Sequence, residues 1–195
     1  WTIEAALASK SLNRVIVSSE DREILEIAQK WGADVPFTRP MELAQDTTPG
    51  IAPVIHALET LPENYDFVVL LQPTSPLRES QDIEAAVQLC LESSAPACVG
   101  VVESAQSPYW MFTRADNCRL TPLMAREKLP ARRQDLPVTY SVNGAVYVAS
   151  VPWFLREKTF FSPETIGYVM PQERSLDIDN ELDLAVAEMV LGSRI

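Results

Sequence analysis

The chain has 195 residues, 47% hydrophobic and 22% charged, enough to bury one sizeable core. Against 27 acidic residues stand 16 lysines and arginines, and the net charge of −11 argues against a general nucleic-acid binder or a membrane-surface protein. No apolar run approaches the ~18 residues of a membrane span, and three scattered cysteines with one histidine speak against a disulfide framework or structural zinc and for a reducing cytoplasm.

Residues 1–10 read as an amphipathic helix with Glu4 inside it rather than a signal peptide, and a domain opening in mid-helix is expected to lack the element before it. A short strand is predicted over 14–17, closed by Ser18-Ser19. Glu20, Asp21 and Glu23 put acid into the first turn of a helix reaching about Trp31, where it suits the helix dipole, and Gly32 ends it. An extended piece over 35–37 leads to Thr38-Arg39-Pro40, and 41–50 read as loop. A helix over 51–61 carries His56 and tolerates Pro53 in its first turn. Five consecutive apolar residues, 67–71, then predict a strand buried on both faces, as in a parallel sheet. It stops at Gln72-Pro73-Thr74-Ser75-Pro76, where two prolines force the chain off the sheet and carry an amide, two hydroxyls and Arg78 with it. Ligands of open α/β sheets bind at the carboxyl edge of the strands, so this exit is a candidate site.

A helix over 81–92 and a strand over 98–102 follow. From 104 to 138 the character changes: four prolines (Pro108, Pro122, Pro130, Pro137), scattered aromatics and the basic cluster Arg126, Lys128, Arg132 and Arg133 indicate an excursion from the sheet, with room for a hairpin and one short helix. A strand over 142–149, a helix over 153–158, a short strand over 168–170 and a final helix over 180–191 complete the chain. Strands alternating with helices predict an α/β fold, a doubly wound, mostly parallel (Rossmann-like) sheet in a single domain over 1–195 with one insertion.

Several clusters could carry chemistry. In Asp177-Ile178-Asp179, two carboxylates one residue apart in extended chain point the same way, which suits Mg²⁺. The dipeptide pattern alone favours a plainer role, with Asp179 as a helix N-cap and Asp177 solvated. Asp-x-Asp also matches the nucleophile motif of haloacid-dehalogenase-like phosphatases, but that motif ends the first strand of its domain and this one lies near the C-terminus. Asn143 and Tyr147 fall on one face of a strand at i and i+4, with Gly144 between them allowing close approach of a ligand or a backbone; a satisfied polar pair at a sheet edge fits as well. Phe160-Phe161 reads as core or as a pocket wall. The basic cluster is either a solvated face or a grip for carboxylate or phosphate. His56 reads as a helix-surface or satisfied core residue. No Ser/His/Asp or Cys/His pairing and no Walker-type loop is present.

In order, LLQPTSPLR (70–78), SPYWMF (107–112), RRQDLP (132–137), NGAVY (143–147), FF (160–161) and DIDNELDL (177–184) closely resemble the acylneuraminate cytidylyltransferases, the CMP-sialic acid synthetases. The resemblance covers nearly the whole chain. It implies transfer of CMP from CTP to the anomeric hydroxyl of a nine-carbon 2-keto sugar acid, with release of pyrophosphate. Such chemistry needs charge neutralisation and in-line positioning more than a covalent nucleophile. On matching positions, Asp177 and Asp179 would hold Mg²⁺ and serve as the catalytic carboxylates. Gln72, Asn143 and Tyr147 would contact the sugar acid, Phe160 and Phe161 would line its side-chain pocket, and Arg39 would reach the cytosine. The excursion over 104–138 would pack on a second subunit, with Arg133 reaching the neighbour's site in a homodimer.

Two departures stand out. The family's opening strand and its Gly/Ser/Lys/Arg-rich phosphate loop would lie before Trp1, so residues 1–195 alone are expected to bind CTP poorly and turn over slowly or not at all. Asp46-Thr47 is followed by Thr48-Pro49-Gly50, without the serine expected near cytosine. A non-catalytic truncated relative, serving as a sugar-binding or assembly module, is the alternative reading. Neuraminic, legionaminic and pseudaminic acids share the carboxylate and anomeric centre, so the motifs do not separate them.

Overall fold

The computed structural model describes residues 1–124 and 132–193, Arg133 by its backbone alone. Helix α1 (Thr2–Ala8) leads into an extended stretch in which the strand predicted over 14–17 is reduced to one parallel bridge, Ile16 to Asp34. Asp21 caps α2 (Arg22–Lys30) by accepting from the Glu23 and Ile24 amides at 2.7 and 3.2 Å. Then come α3 (Ala52–Thr60), β1 (Phe67–Leu70), α4 (Ser80–Glu92) and β2 (Ala97–Glu103). The excursion holds a hairpin of β3 (Phe112–Arg114) and β4 (Leu120–Pro122), and a 3₁₀ turn, Arg133–Asp135, follows it. The chain returns as β5 (Tyr140–Ser150), α5 (Val151–Glu157), β6 (Ile166–Val169) and α6 (Glu181–Gly192).

The central sheet has the order β1-β5-β2-β6. β1, β2 and β6 share one direction, and β5 enters between β1 and β2 running against both. The sheet is therefore mixed and mostly parallel in strand direction, with helices on both faces. Along β5 the period of two assigns side chains to the two layers. Val146 and Val148 join Ile83, Ala86 and Cys90 of α4, Cys98 and Met170, whereas Ala149 joins Val54 of α3, Ala97, Val99, Trp153 and Phe154. Tyr147 packs against that second cluster.

β1 departs from its predicted burial. All four of its residues are half-buried, and its strand partner among the described residues is antiparallel β5, from Phe67 opposite Ser150 to Leu70 opposite Tyr147. Its other edge faces a cavity of about 1640 Å³, lined by Val15, Ile16 and Val17 across from Val68, Val69 and Leu71, and reaching Arg39 and Gln72 at one end. An apolar run reports burial of side chains, not the direction or number of its neighbours, which is why the parallel expectation fails for this strand.

The hairpin is exposed along its length, with Leu120 and Leu123 60% and 58% accessible. Arg126, Lys128 and Pro130 lie outside the described residues; Arg132 is paired with Asp135 at 3.0 Å. Cys90, Cys98 and Cys118 are free thiols, and burial pushes Cys98 up to about 12. Among the described residues no helix is long and apolar enough to cross a membrane.

Candidate active site

β1 delivers the chain into the Pro-rich exit loop, and Arg78 folds back beneath it. This arginine is 3% accessible, and its Nη1 donates to the carbonyls of Gln72 at 3.3 Å and Ala145 at 2.9 Å, tying the loop to β5. Burial lowers Arg78 to about 10, opposed by the charge of Asp82. Ser75, fully buried, donates to the Asn143 carbonyl at 3.4 Å.

The segment after β6 comes to the same place. The Ile178 amide donates to the Thr74 carbonyl at 2.9 Å, so the Asp177-Ile178-Asp179 stretch lies against the exit loop. The capping role drawn from the dipeptide falls to the next residue. Asn180 accepts from the Leu182 and Asp183 amides at 2.9 and 3.2 Å, while Asp183 closes a capping box. Asp179 is thereby left exposed with its carboxylate uncommitted to the cap, and Asp177 is half-buried rather than solvated. Its Oδ1 is buried without a hydrogen-bond partner. A buried carboxylate oxygen without a donor is costly in a structural role and suited to a cation. No group of three His, Cys, Asp or Glu side chains that could hold a metal occurs among the described residues. Two carboxylates are nevertheless the usual protein share of a Mg²⁺ site completed by substrate phosphates, so the pair fits such an ion.

Gly144 sits where the two loops meet β5. Its φ of +73° lies in the left-handed region, and a Cβ there would stand 2.5 Å from Gln72 Oε1, 3.2 Å from Asp177 Oδ2 and 3.4 Å from Ser75 Oγ. Gln72, Ser75 and Asp177 therefore converge on one point. The ladder is bulged at this position: Val99 pairs with Tyr147 but Val101 with Val142. That bulge undoes the expectation that Asn143 and Tyr147 share a face. Asn143, 4% accessible, turns to Met170 Sδ at 3.1 Å and Ser175 Oγ at 3.0 Å. Tyr147 instead packs against Phe160 and Phe161, with ring centroids 5.3 and 6.3 Å away.

A family model described as Cytidylyltransferase matches residues 1–190. The chain belongs to the cytidylyltransferase family. It is 34% identical over 187 residues to an N-acylneuraminate cytidylyltransferase of Escherichia coli, covering 96% of this chain but only 44% of that protein. It is 31% identical over 200 residues to the CMP-N,N'-diacetyllegionaminic acid synthase of Legionella pneumophila, covering 97% of this chain and 83% of that one. The fold matches that of a CMP:2-keto-3-deoxy-manno-octonic acid synthetase solved with CTP, at a TM-score of 0.67 and 14% identity over 99% of this chain and 86% of the other.

In this cytidylyltransferase-family chain the remaining predicted residues divide. Phe160 is buried against Phe154 and Tyr147, while Phe161 is exposed. Tyr147 has its phenol pushed up by burial and then by the Asp177 charge. Arg39 lies on the wall of the large cavity, as Gln72 does, and the side chain of Glu20 accepts from its Nε at 3.1 Å and from its Nη2. The Arg133 side chain is outside what the structure describes.

Sequence reasoning passed over Glu20, Asp82, Arg174 and Ser175. Glu20 carries no local sign of its partner beyond that of first-turn acid, yet an acid preceding a helix and an arginine on the next extended piece can meet across neighbouring segments. Arg39 holds the Glu20 carboxyl below its ordinary value of 4.5. A depressed acid contributes stability above its unfolded value and loses it as pH falls through the folded one. Acid titration of wild type and Glu20→Gln by circular dichroism should therefore show a stability gap that is constant above about pH 4.5 and closes below it. A gap that widens with acid would place the stabilising charge elsewhere.

Proposed function

We propose that the chain transfers CMP from CTP to the anomeric hydroxyl of a nonulosonic, sialic-acid-like sugar. A bond forms between the anomeric oxygen and the α-phosphorus, the α–β phosphoanhydride breaks, pyrophosphate departs and the hydroxyl proton is released. The single observation that carries the reading is the Ile178–Thr74 hydrogen bond, which sets the Asp177 carboxylate beside Gln72 and Gly144. Asp177 and Asp179 would hold Mg²⁺. When bound, that ion neutralises triphosphate charge and lowers the pKa of a coordinated hydroxyl.

The protein's own groups supply orientation. Gln72 presents its amide at the convergence point, and the missing side chain of Gly144 lets Gln72 Oε1 and Asp177 Oδ2 close onto the β5 backbone there. Asn143 acts from behind, its amide holding Ser175 at 3.0 Å, two residues before Asp177. Tyr147 with Phe161 offers an aromatic wall to the acyl and side-chain carbons, and Phe160 supports it from the core. Arg39, held by Glu20 on the cavity wall, would donate to the cytosine. Relatives named for neuraminate, legionaminate and pseudaminate give the sugar class. Free thiols suit a cytoplasmic setting.

The test is direct. The chain joined to the family's opening strand and phosphate loop is incubated with CTP, Mg²⁺ and neuraminic, legionaminic or pseudaminic acid in turn, and the CMP-sugar is followed by chromatography. Product with at least one sugar is expected; none with any of them overturns the reading. A second reading, a sugar-binding module without turnover, draws on the cavity beside β1, where Arg14 and Arg39 are the lining arginines and both are engaged in ion pairs. Calorimetry separates the two, because a module of that kind takes up the sugar acid without needing CTP.

The exposed hairpin is proposed as the contact of a homodimer, with Arg133 directed at the partner's site. Met111, Phe112, Leu120 and Leu123 give it an apolar surface that a solvated arm would not need. Sedimentation equilibrium should report a dimer that Leu123→Glu converts to monomer with the fold retained. A wild-type monomer at assay concentration counts against the arrangement.

A further inference from the structure

Asp82 is wholly buried and its carboxylate is fully engaged. Oδ2 accepts from the Glu79 amide at 3.0 Å and from Arg174 Nε at 2.9 Å; Oδ1 accepts from Arg174 Nη2 at 2.9 Å and from the Tyr168 hydroxyl at 3.2 Å. Capping α4 accounts for the first of these bonds. The other three need a different reason, because taking the Asp82 carboxylate wholly out of water offsets most of what its ion pair gains. The reason lies in what the pair joins. Asp82 stands in the first turn of α4, directly after the exit loop, and Arg174 ends the 3₁₀ turn Gln172–Arg174, just ahead of Asp177. The two residues are 92 positions apart in the chain.

We propose that Asp82 and Arg174 are positioning residues that set where the Asp177 carboxylate stands relative to Gln72 and so govern the affinity of the site for a divalent cation. This rests on the reading of Asp177 and Asp179 as Mg²⁺ ligands. The guanidinium grips both carboxylate oxygens, which fixes distance and plane together, whereas a lysine in its place restores the charge but not the fork. Asp177 Oδ1 has no protein donor, so its placement depends on the backbone of its segment. That backbone is pinned by the Arg174 fork on one side and by Ile178 donating to Thr74 on the other. Asn143, donating to Ser175 Oγ, is the cross-brace to β5. Loosening the fork therefore lets the carboxylate drift while the sheet stays intact.

The experiment measures Mn²⁺ binding to the full chain with CTP present, by water proton relaxation, together with the Mg²⁺ dependence of turnover. Arg174→Lys is expected to weaken Mn²⁺ about tenfold, the scale seen when outer-shell partners of metal ligands are changed. The Mg²⁺ concentration for half-maximal turnover should rise in step, with kcat recovering at saturating Mg²⁺. Tyr168→Phe removes one bond from Asp82 and leaves the fork whole, so it should lower the melting temperature without moving Mn²⁺ affinity. Should Arg174→Lys not fold, the double variant Asp82→Asn with Arg174→Gln, which removes both charges and keeps two amides able to pair, carries the same measurement. Folded variants that bind Mn²⁺ as wild type does overturn the proposal. A wild-type chain that takes up no Mn²⁺ overturns instead the metal reading on which it stands.

Discussion

Replacing Asp177 by asparagine is expected to lower CMP-sugar formation by about two to three orders of magnitude while raising the melting temperature. A bound cation offsets several kcal/mol of developing charge in reactions at phosphorus, and each ~1.4 kcal/mol is a factor of ten in rate. The stability gain follows from the same geometry. Asp177 Oδ1 is buried without a donor, and an unsatisfied buried polar group costs about 1–3 kcal/mol, more when charged. Asparagine keeps the shape and removes the charge. For a domain of this size about 1 kcal/mol corresponds to roughly 2–4 °C in Tm. Activity is measured as CMP-sugar formed per mole of folded protein, and stability by calorimetry without metal. Undiminished turnover removes Asp177 from the mechanism, and a fall in Tm means that its carboxylate has a structural partner.

Gly144→Ala is expected to lose activity on the same scale but to move Tm the other way. At φ +73° a side chain costs about 1–2 kcal/mol, hence a fall of several degrees. The added methyl would stand 2.5 Å from Gln72 Oε1 and 3.2 Å from Asp177 Oδ2. Gln72 is the more mobile of the two and would swing away, and a misplacement of about 1 Å in a positioning group can cost 10²-fold in rate. Together the two variants separate chemistry from folding: both cut turnover to the same degree, yet their thermal shifts have opposite sign. A Gly144→Ala enzyme with wild-type kcat and KM would show that the convergence of Gln72, Ser75 and Asp177 is incidental.

Much of this was legible before any coordinates, and the misses are informative. The apolar run at 67–71 marked β1 and the prolines after it marked the loop, since strand interiors and ladder breakers have local signatures. The antiparallel course of β5 has no such signature. Extrapolating a period of two from Asn143 to Tyr147 failed because the glycine between them marks an irregularity in which β5 carries three residues more than β2, and an odd offset inverts the facing. Asp179 against Asn180 as the cap was a difference of one position between two good capping residues, decided by where Asp183 could close the box. Asp82 and Arg174 were invisible for another reason. Each alone resembles a solvated charge at a helix or turn end, and only the tertiary fold brings the pair together. The order of short motifs carried the family because each motif labels a loop that the fold gathers to one edge.

The links that join the site's separate segments are long: Arg78 to Ala145 spans 67 positions, Ser75 to Asn143 spans 68, and Asp82 to Arg174 spans 92. Contacts of that range form only after much loop entropy has been lost, so folding dominated by them is slow. Competence then arrives as the last event of refolding rather than with the first compact species. A ligand that needs the assembled pocket should consequently protect amides across the whole sheet from hydrogen exchange, not merely those lining its own contacts.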